Sequence, residues 1–151
     1  MSQRLTAHLH ELVLAMDKVS DHLLSTRFGV DHNLFVFLNP LLDGALDVTR
    51  MSQRLNLTKA AVSKRVPRLE GEGWLETSTD PGHGRRVLVS LTPKGRDLIV
   101  EANALLAERF AAIMNNLSID SARLDADLQA MIPAVRARKV TTGKVSPLAG
   151  A

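Results

Sequence analysis

The feature that most narrows the possible folds lies between Thr58 and Leu91, where a helical pattern gives way at two glycines to two β-prone runs. Thr58 is a natural N-cap. Val62, Val66 and Leu69 follow at helical steps of four and three, which predicts a helix to about Glu70–Gly73 with one apolar stripe. Gly71 and Gly73 bracket its exit. Trp74–Thr79 and Arg85–Leu91 then flank Asp80-Pro81-Gly82-His83-Gly84, the signature of a hairpin with a flexible tip. The helix also carries Pro67 in its interior. A proline there removes one backbone hydrogen bond and crowds the preceding turn, at about 3 kcal/mol. At about 100° per residue, Pro67 falls on the side opposite the stripe, with Ala60, Ser63 and Lys64, and Arg68 lies just beyond. The Ser63 carbonyl that loses its donor therefore faces water or a partner, and the helix is expected to persist with a bend.

The flanking segments are helical in pattern. Residues 2–26 place Leu5, Leu9, Leu12, Met16, Val19 and Leu23 at alternating steps of four and three, a heptad seam that suits a second copy of the chain as well as its own core. Phe28-Gly29-Val30-Asp31 breaks that helix. "HNLFVFLNPLL" predicts a short apolar helix, made awkward by Pro40 and ended by Asp43-Gly44. "DVTRMSQRLNL" carries Val48, Met51 and Leu55 at helical steps, with Asp47 or Thr49 able to cap it. Thr92 and Pro93 open a long helix to about Asn116. A last helix covers about 120–138 with a bend at Pro133, and residues 139–151 are small, polar and expected to be disordered. "MSQRL" occurs at 1–5 and 51–55 with unrelated flanks, a coincidence rather than a repeat.

A chain of 151 residues is the length of one domain, and with 3% aromatic residues its core must be aliphatic, which suits packed helices. The absence of cysteine excludes disulfides and thiolate metal sites. No long apolar run and no signal-peptide pattern occur, so a cytoplasmic protein with no membrane partner is expected. Charge is unevenly placed: residues 50–96 hold ten Lys/Arg against four acids, whereas the rest holds nine against twelve. A basic middle between mildly acidic ends is the pattern of a nucleic-acid contact. Helix, tight turn, basic helix, glycine exit and two-stranded ribbon, in that order, describe a mainly α fold with a small β-wing, a winged helix-turn-helix. The front of the basic helix, Thr58, Lys59, Ala60, Ala61, Ser63 and Lys64, is small and polar enough to lie deep in a major groove, where Lys can reach guanine acceptors and Ala a thymine methyl.

From Asp47 to about Ile99 the chain resembles the MarR (multiple antibiotic resistance regulator) family of bacterial transcription regulators. The resemblance is carried by "LNLTKAAVSKRVPRLEGEGWLE", the Asp80-Pro81 turn, the "RRVLVSLT" strand and "LTPKG". It implies a single domain over 1–138, with a winged core at about 46–92 and N- and C-terminal dimerisation helices at about 2–26 and 93–138. It also implies a homodimer that binds palindromic double-stranded DNA operators, represses genes, and releases DNA when a small, often phenolic, effector binds. The recognition-helix residues and Arg68 become DNA contacts by this resemblance. The wing departs from the family pattern: His83 and Gly84 stand where Asp and Arg are usual, so the usual Asp–Arg brace is missing or rearranged. Arg85 matches the second wing arginine and is the expected minor-groove insertion, with Arg86 and His83 as substitutes.

Other chemistries have little support. His8, His10, His22, His32 and His83 form no ligand signature, so no metal and no cofactor are expected. Phe28, His32 and Phe35, with Phe37 nearby, could line an effector pocket or an ordinary core edge. There is no nucleophile elbow, phosphate loop or dinucleotide fingerprint, which argues against an enzyme. The competing reading is a winged-helix adaptor or anti-repressor that contacts protein, suggested by Pro67 and the altered wing tip.

Overall fold

The computed structural model describes residues 4–137, which fall into two compact units, 4–108 and 109–137. The expected tail at 139–151 lies outside the described residues. Helix α1, Leu5–Phe28, ends where Gly29 takes a left-handed conformation (φ 67°) that only glycine adopts freely. Asp31 then caps α2, His32–Leu38, by accepting the Leu34 N–H. The apolar stretch expected to be a single helix divides at this point. Asn39–Asp43 is a 3-10 turn because Pro40 lacks the N–H needed to continue α2.

Leu46–Asp47 forms β1, a two-residue strand that periodicity could not reveal. It pairs antiparallel with β3, Val87–Leu91, which pairs in turn with β2, Leu75–Thr79, to give the order β1-β3-β2. The wing strands are shorter than the sequence pattern, with Trp74 and residues 85–86 outside them. Helix α3, Val48–Leu55, is capped by Asp47. Asn56 ends it in the left-handed region that Asn tolerates (φ 52°), and α4, Lys59–Gly71, begins after a tight turn. Helix α5, Pro93–Asn116, opens at the expected proline, and α6, Ser121–Ala137, includes Pro133.

The core lies within the first unit. Leu24 of α1, Phe37 and Leu38 of α2, Met51 of α3, Val62 and Leu69 of α4, Leu75 of β2, Val89 of β3 and Ile99 of α5 are almost wholly enclosed. Only Ser20 and Leu24 of α1 are buried, and no residue of α6 is. Leu12 of α1 is 54% exposed and Val135 of α6 is 68% exposed. Among the described residues, no helix is long and apolar enough to cross a membrane.

Candidate nucleic-acid interface

The Thr58 hydroxyl accepts the Ala61 N–H at 3.1 Å and starts α4. Val62, Val66 and Leu69 are buried, whereas Thr58, Lys59, Ala60, Ser63 and Lys64 are exposed and Ala61 is half-buried. α4 is one unbroken α-helix through Pro67, which is exposed. The magnitudes explain this: three buried aliphatic side chains contribute about 1.5–3 kcal/mol each at most, more than the roughly 3 kcal/mol lost at an interior proline. Arg65 fixes the roll of the helix. Its guanidinium lies 4.4 Å above the Phe37 ring centroid and donates weakly to the Asn33 carbonyl at 3.5 Å.

Arg68 does not join the front of the helix. Its Nε donates to Glu72 Oε1 at 2.8 Å, and that hydrogen bond is the first cause holding the Glu72 carboxyl below the ordinary glutamate value. The second Glu72 oxygen accepts the Trp74 indole N–H at 3.2 Å. Lys94 donates to the Glu72 carbonyl at 2.9 Å while its ammonium stands 4.0 Å over the Trp74 ring. Arg65, Arg68 and Glu72 line a cavity of about 280 Å³ with Val30, Leu34 and Trp74. Glu72 and Lys94 were not expected as part of this arrangement. Their spacing from Trp74 carries no local periodicity, although Arg68 and Glu72 at i and i+4 were legible as a helix-face pair.

At the wing, the Asp80 carboxylate accepts the Gly82 N–H at 3.0 Å and lies 3.5 Å from His83 Nδ1. The Asp80 N–H donates to the Arg86 carbonyl, the His83 N–H to Asp80, and the Arg86 N–H to His83. The brace is thus rearranged onto Asp80 and His83, and the tip expected to be loose closes in a hydrogen-bonded turn. Arg85 is exposed, with no hydrogen bond or ion pair among the described residues. Arg86 Nε, by contrast, lies 3.5 Å from Asp47 Oδ2. Both arginines border a cleft of about 520 Å³ with Thr49, Arg50 and Gln53 of α3.

The three aromatic and imidazole residues considered for an effector lie at the α1–α2 junction. Phe35 is buried and Phe28 and His32 are half-buried, with the His32 and Phe35 ring centroids 6.3 Å apart. His32 Nε2 is 3.3 Å from Asp17, and its Nδ1 is enclosed without a hydrogen-bond partner. Neither cavity described above is lined by these three residues. The α1 seam is only partly covered: Leu5, Leu12 and Val19 are exposed, and Leu9, Met16 and Leu23 are half-buried. Among the described residues, no cluster of three or more His, Asp or Glu side chains could hold a metal ion.

The model of the MarR family matches residues 34–86, from α2 through the wing turn. Over that segment the chain is similar to the MarR family. MarR-family proteins are transcriptional regulators rather than enzymes, and the winged-helix architecture here is theirs. The transcriptional regulator AdcR of Streptococcus pneumoniae serotype 2 (strain D39) is 27% identical over 104 residues, which cover 67% of this chain and 71% of AdcR. Two solved structures superpose closely. NadR in complex with 4-hydroxyphenylacetate gives a TM-score of 0.76 at 18% identity, over 92% of this chain and 98% of that one. A single-site mutant of MarR from E. coli complexed with operator DNA gives 0.67 at 20%, over 88% and 94%.

Proposed function

We propose that this chain is a MarR-family regulator, a homodimer that binds a palindromic operator in double-stranded DNA, sequence-specifically and as a ligand-responsive repressor. The observation that carries the reading is α4: a helix anchored by Val62, Val66 and Leu69 that leaves Thr58, Lys59, Ala60, Ser63 and Lys64 exposed beside one another. Ala61 sits at the edge of this face. Each protomer places that face in a major groove, Lys64 reads base edges, and the amides behind Thr58 meet a phosphate. Arg85 enters the minor groove, and His83 reaches the adjacent backbone. Arg68 and Arg86, held by Glu72 and Asp47, are left out of the direct contacts. The structural likeness to a MarR–operator complex supports this placement.

Dimerisation uses the α1 seam, Leu5 to Leu23, with the exposed apolar residues of α5 and α6, so that residues 1–138 act as one domain in the cytoplasm, where the operator is. The enclosed, unpartnered Nδ1 of His32 supports an effector site at Phe28, His32 and Phe35, since a ligand polar atom there would satisfy it. The likeness to NadR with its bound 4-hydroxyphenylacetate supports ligand response. A bound effector weakens operator binding to the extent that it prefers the protomer spacing that mismatches the operator.

Selection of duplexes from a randomised pool, followed by sequencing, tests the proposal. Enrichment of an inverted repeat with half-sites about one helical turn apart is expected. The ion pairs that occupy Arg68 and Arg86 favour one alternative, an adaptor that binds protein. Weak, salt-sensitive binding without any enriched sequence would replace the operator reading with that one.

A further inference from the structure

In register, Asp47 of β1 stands opposite Leu88 of β3. Arg86 lies just before β3, two residues ahead of Leu88, where its side chain reaches Asp47. The Asp47 carboxylate is divided between two elements: Oδ1 accepts the Arg50 N–H at 2.7 Å and caps α3, while Oδ2 lies 3.5 Å from Arg86 Nε. Its side chain is 13% exposed, against 45% for Arg86. A carboxylate in the cleft between α3 and the wing repels any phosphate that approaches, so it is out of place on a surface built only for affinity. One neighbouring arginine is held by it, and the other, Arg85, is not.

We infer that Asp47 is a positioning residue that ties the wing to the first helix of the helix-turn-helix and withholds Arg86 from DNA. The tie suppresses sequence-independent phosphate binding and leaves Arg85 as the wing arginine that engages the duplex. This rests on the DNA-binding reading above, which deepens here from contact to selectivity. Cutting the tie frees one cation per protomer to neutralise a phosphate. For a dimer on nonspecific duplex, the slope of log affinity against log salt then steepens by about 1.8, at about 0.9 per phosphate. Between about 50 and about 200 mM salt that is a roughly tenfold larger loss of nonspecific affinity.

Asp47→Ser isolates the effect, because serine caps a helix as well as aspartate but offers Arg86 no charge. The wild type, Asp47→Ser, Arg86→Met and the double variant are titrated with nonspecific and selected duplexes across that salt range. The expected result is non-additive. Arg86→Met alone leaves the slope unchanged, Asp47→Ser steepens it and lowers the ratio of specific to nonspecific affinity, and the double variant returns to the wild-type slope. Equal effects of Arg86→Met in both backgrounds would mean that only net charge matters, and would overturn the inference. Hydrogen exchange of the free proteins supplies a readout that needs no DNA. The Asp80 amide, bonded to the Arg86 carbonyl at 2.9 Å, should exchange faster in Asp47→Ser while the amides of α3 do not change. If the wild type bound no duplex, the operator reading would fail by itself. The tie would still be judged by exchange, and unchanged Asp80 exchange refutes it.

Discussion

Gly95→Ala pits helix propensity against packing, and the structure decides the sign. Gly95 is buried in the first turn of α5, and its N–H donates to the Thr92 hydroxyl oxygen at 3.1 Å. A Cβ there would fall well inside contact distance of the Trp74 carbonyl oxygen, with the Trp74 carbonyl carbon at 3.1 Å and Leu91 Cδ2 at 3.3 Å. That carbonyl cannot swing aside freely, because it accepts from the Thr92 N–H at 3.3 Å, and the Thr92 hydroxyl donates to the Gly73 carbonyl at 2.6 Å. Propensity alone would favour alanine by about 1 kcal/mol. Forcing a methyl against fixed backbone lies near the upper end of the roughly 1–3 kcal/mol range for overpacking. The expected net effect is destabilisation by about 2 kcal/mol, a fall in Tm of roughly 4–8 °C for a chain of this length. Thermal and urea unfolding at one protein concentration measure it. Gly71→Ala is the comparator: at the end of α4 an added Cβ meets nothing within 4 Å, and the change should stabilise by up to about 1 kcal/mol. A Gly95→Ala protein as stable as wild type would show that the junction between Trp74 and α5 yields, and the packing argument would be wrong.

Other expected outcomes are as follows. Leu12→Arg puts a charge on the exposed α1 seam and should weaken the dimer by at least about 2 kcal/mol, seen as monomer by sedimentation; an unshifted dimer would place the interface elsewhere. Pro67→Ala returns a donor to the Ser63 carbonyl and should stabilise by about 1–3 kcal/mol in urea, and a loss of stability would mean that α4 depends on the proline's own geometry. The Glu72 carboxyl is held below its ordinary value first by the Arg68 hydrogen bond, so its contribution is present above the ordinary glutamate range and lost as pH falls through the folded value. The stability gap between wild type and Glu72→Gln should therefore close on acidification. A gap that does not change with pH would show that the ion pair is not its source.

Much of the fold was legible because local chemistry agreed with tertiary packing. Thr58, the Val62–Val66–Leu69 stripe and the Thr92-Pro93 start each specify an element without help from distant residues, and α4 and α5 follow them. β1 was not legible, since two residues carry no period and Leu46–Asp47 are extended only because β3 lies alongside. The 3-10 turn at Asn39–Asp43 was signalled by Pro40 but not resolved from α2. At the site, the positive charges could be counted but not all their partners. Arg68 has Glu72 one helical turn on, a local pair, whereas Arg86 reads alike in sequence to Lys64 and Arg85, and only the fold brings Asp47 to it. Gly95 shows the same limit. "LTPKG" marked the helix start, whereas the need for glycine comes from a carbonyl on the far side of the hairpin.

The proposed dimer through the uncovered apolar residues of α1 has a genetic consequence. Subunits that assemble through such a seam cannot tell an intact partner from one whose wing or α4 is damaged, provided both keep Leu5 to Leu23. In a cell making both forms equally, random pairing leaves only about one quarter of the dimers with two working half-site readers. Lesions confined to Lys64 or Arg85 should therefore be dominant over the normal allele, and lesions that destroy the seam should be recessive.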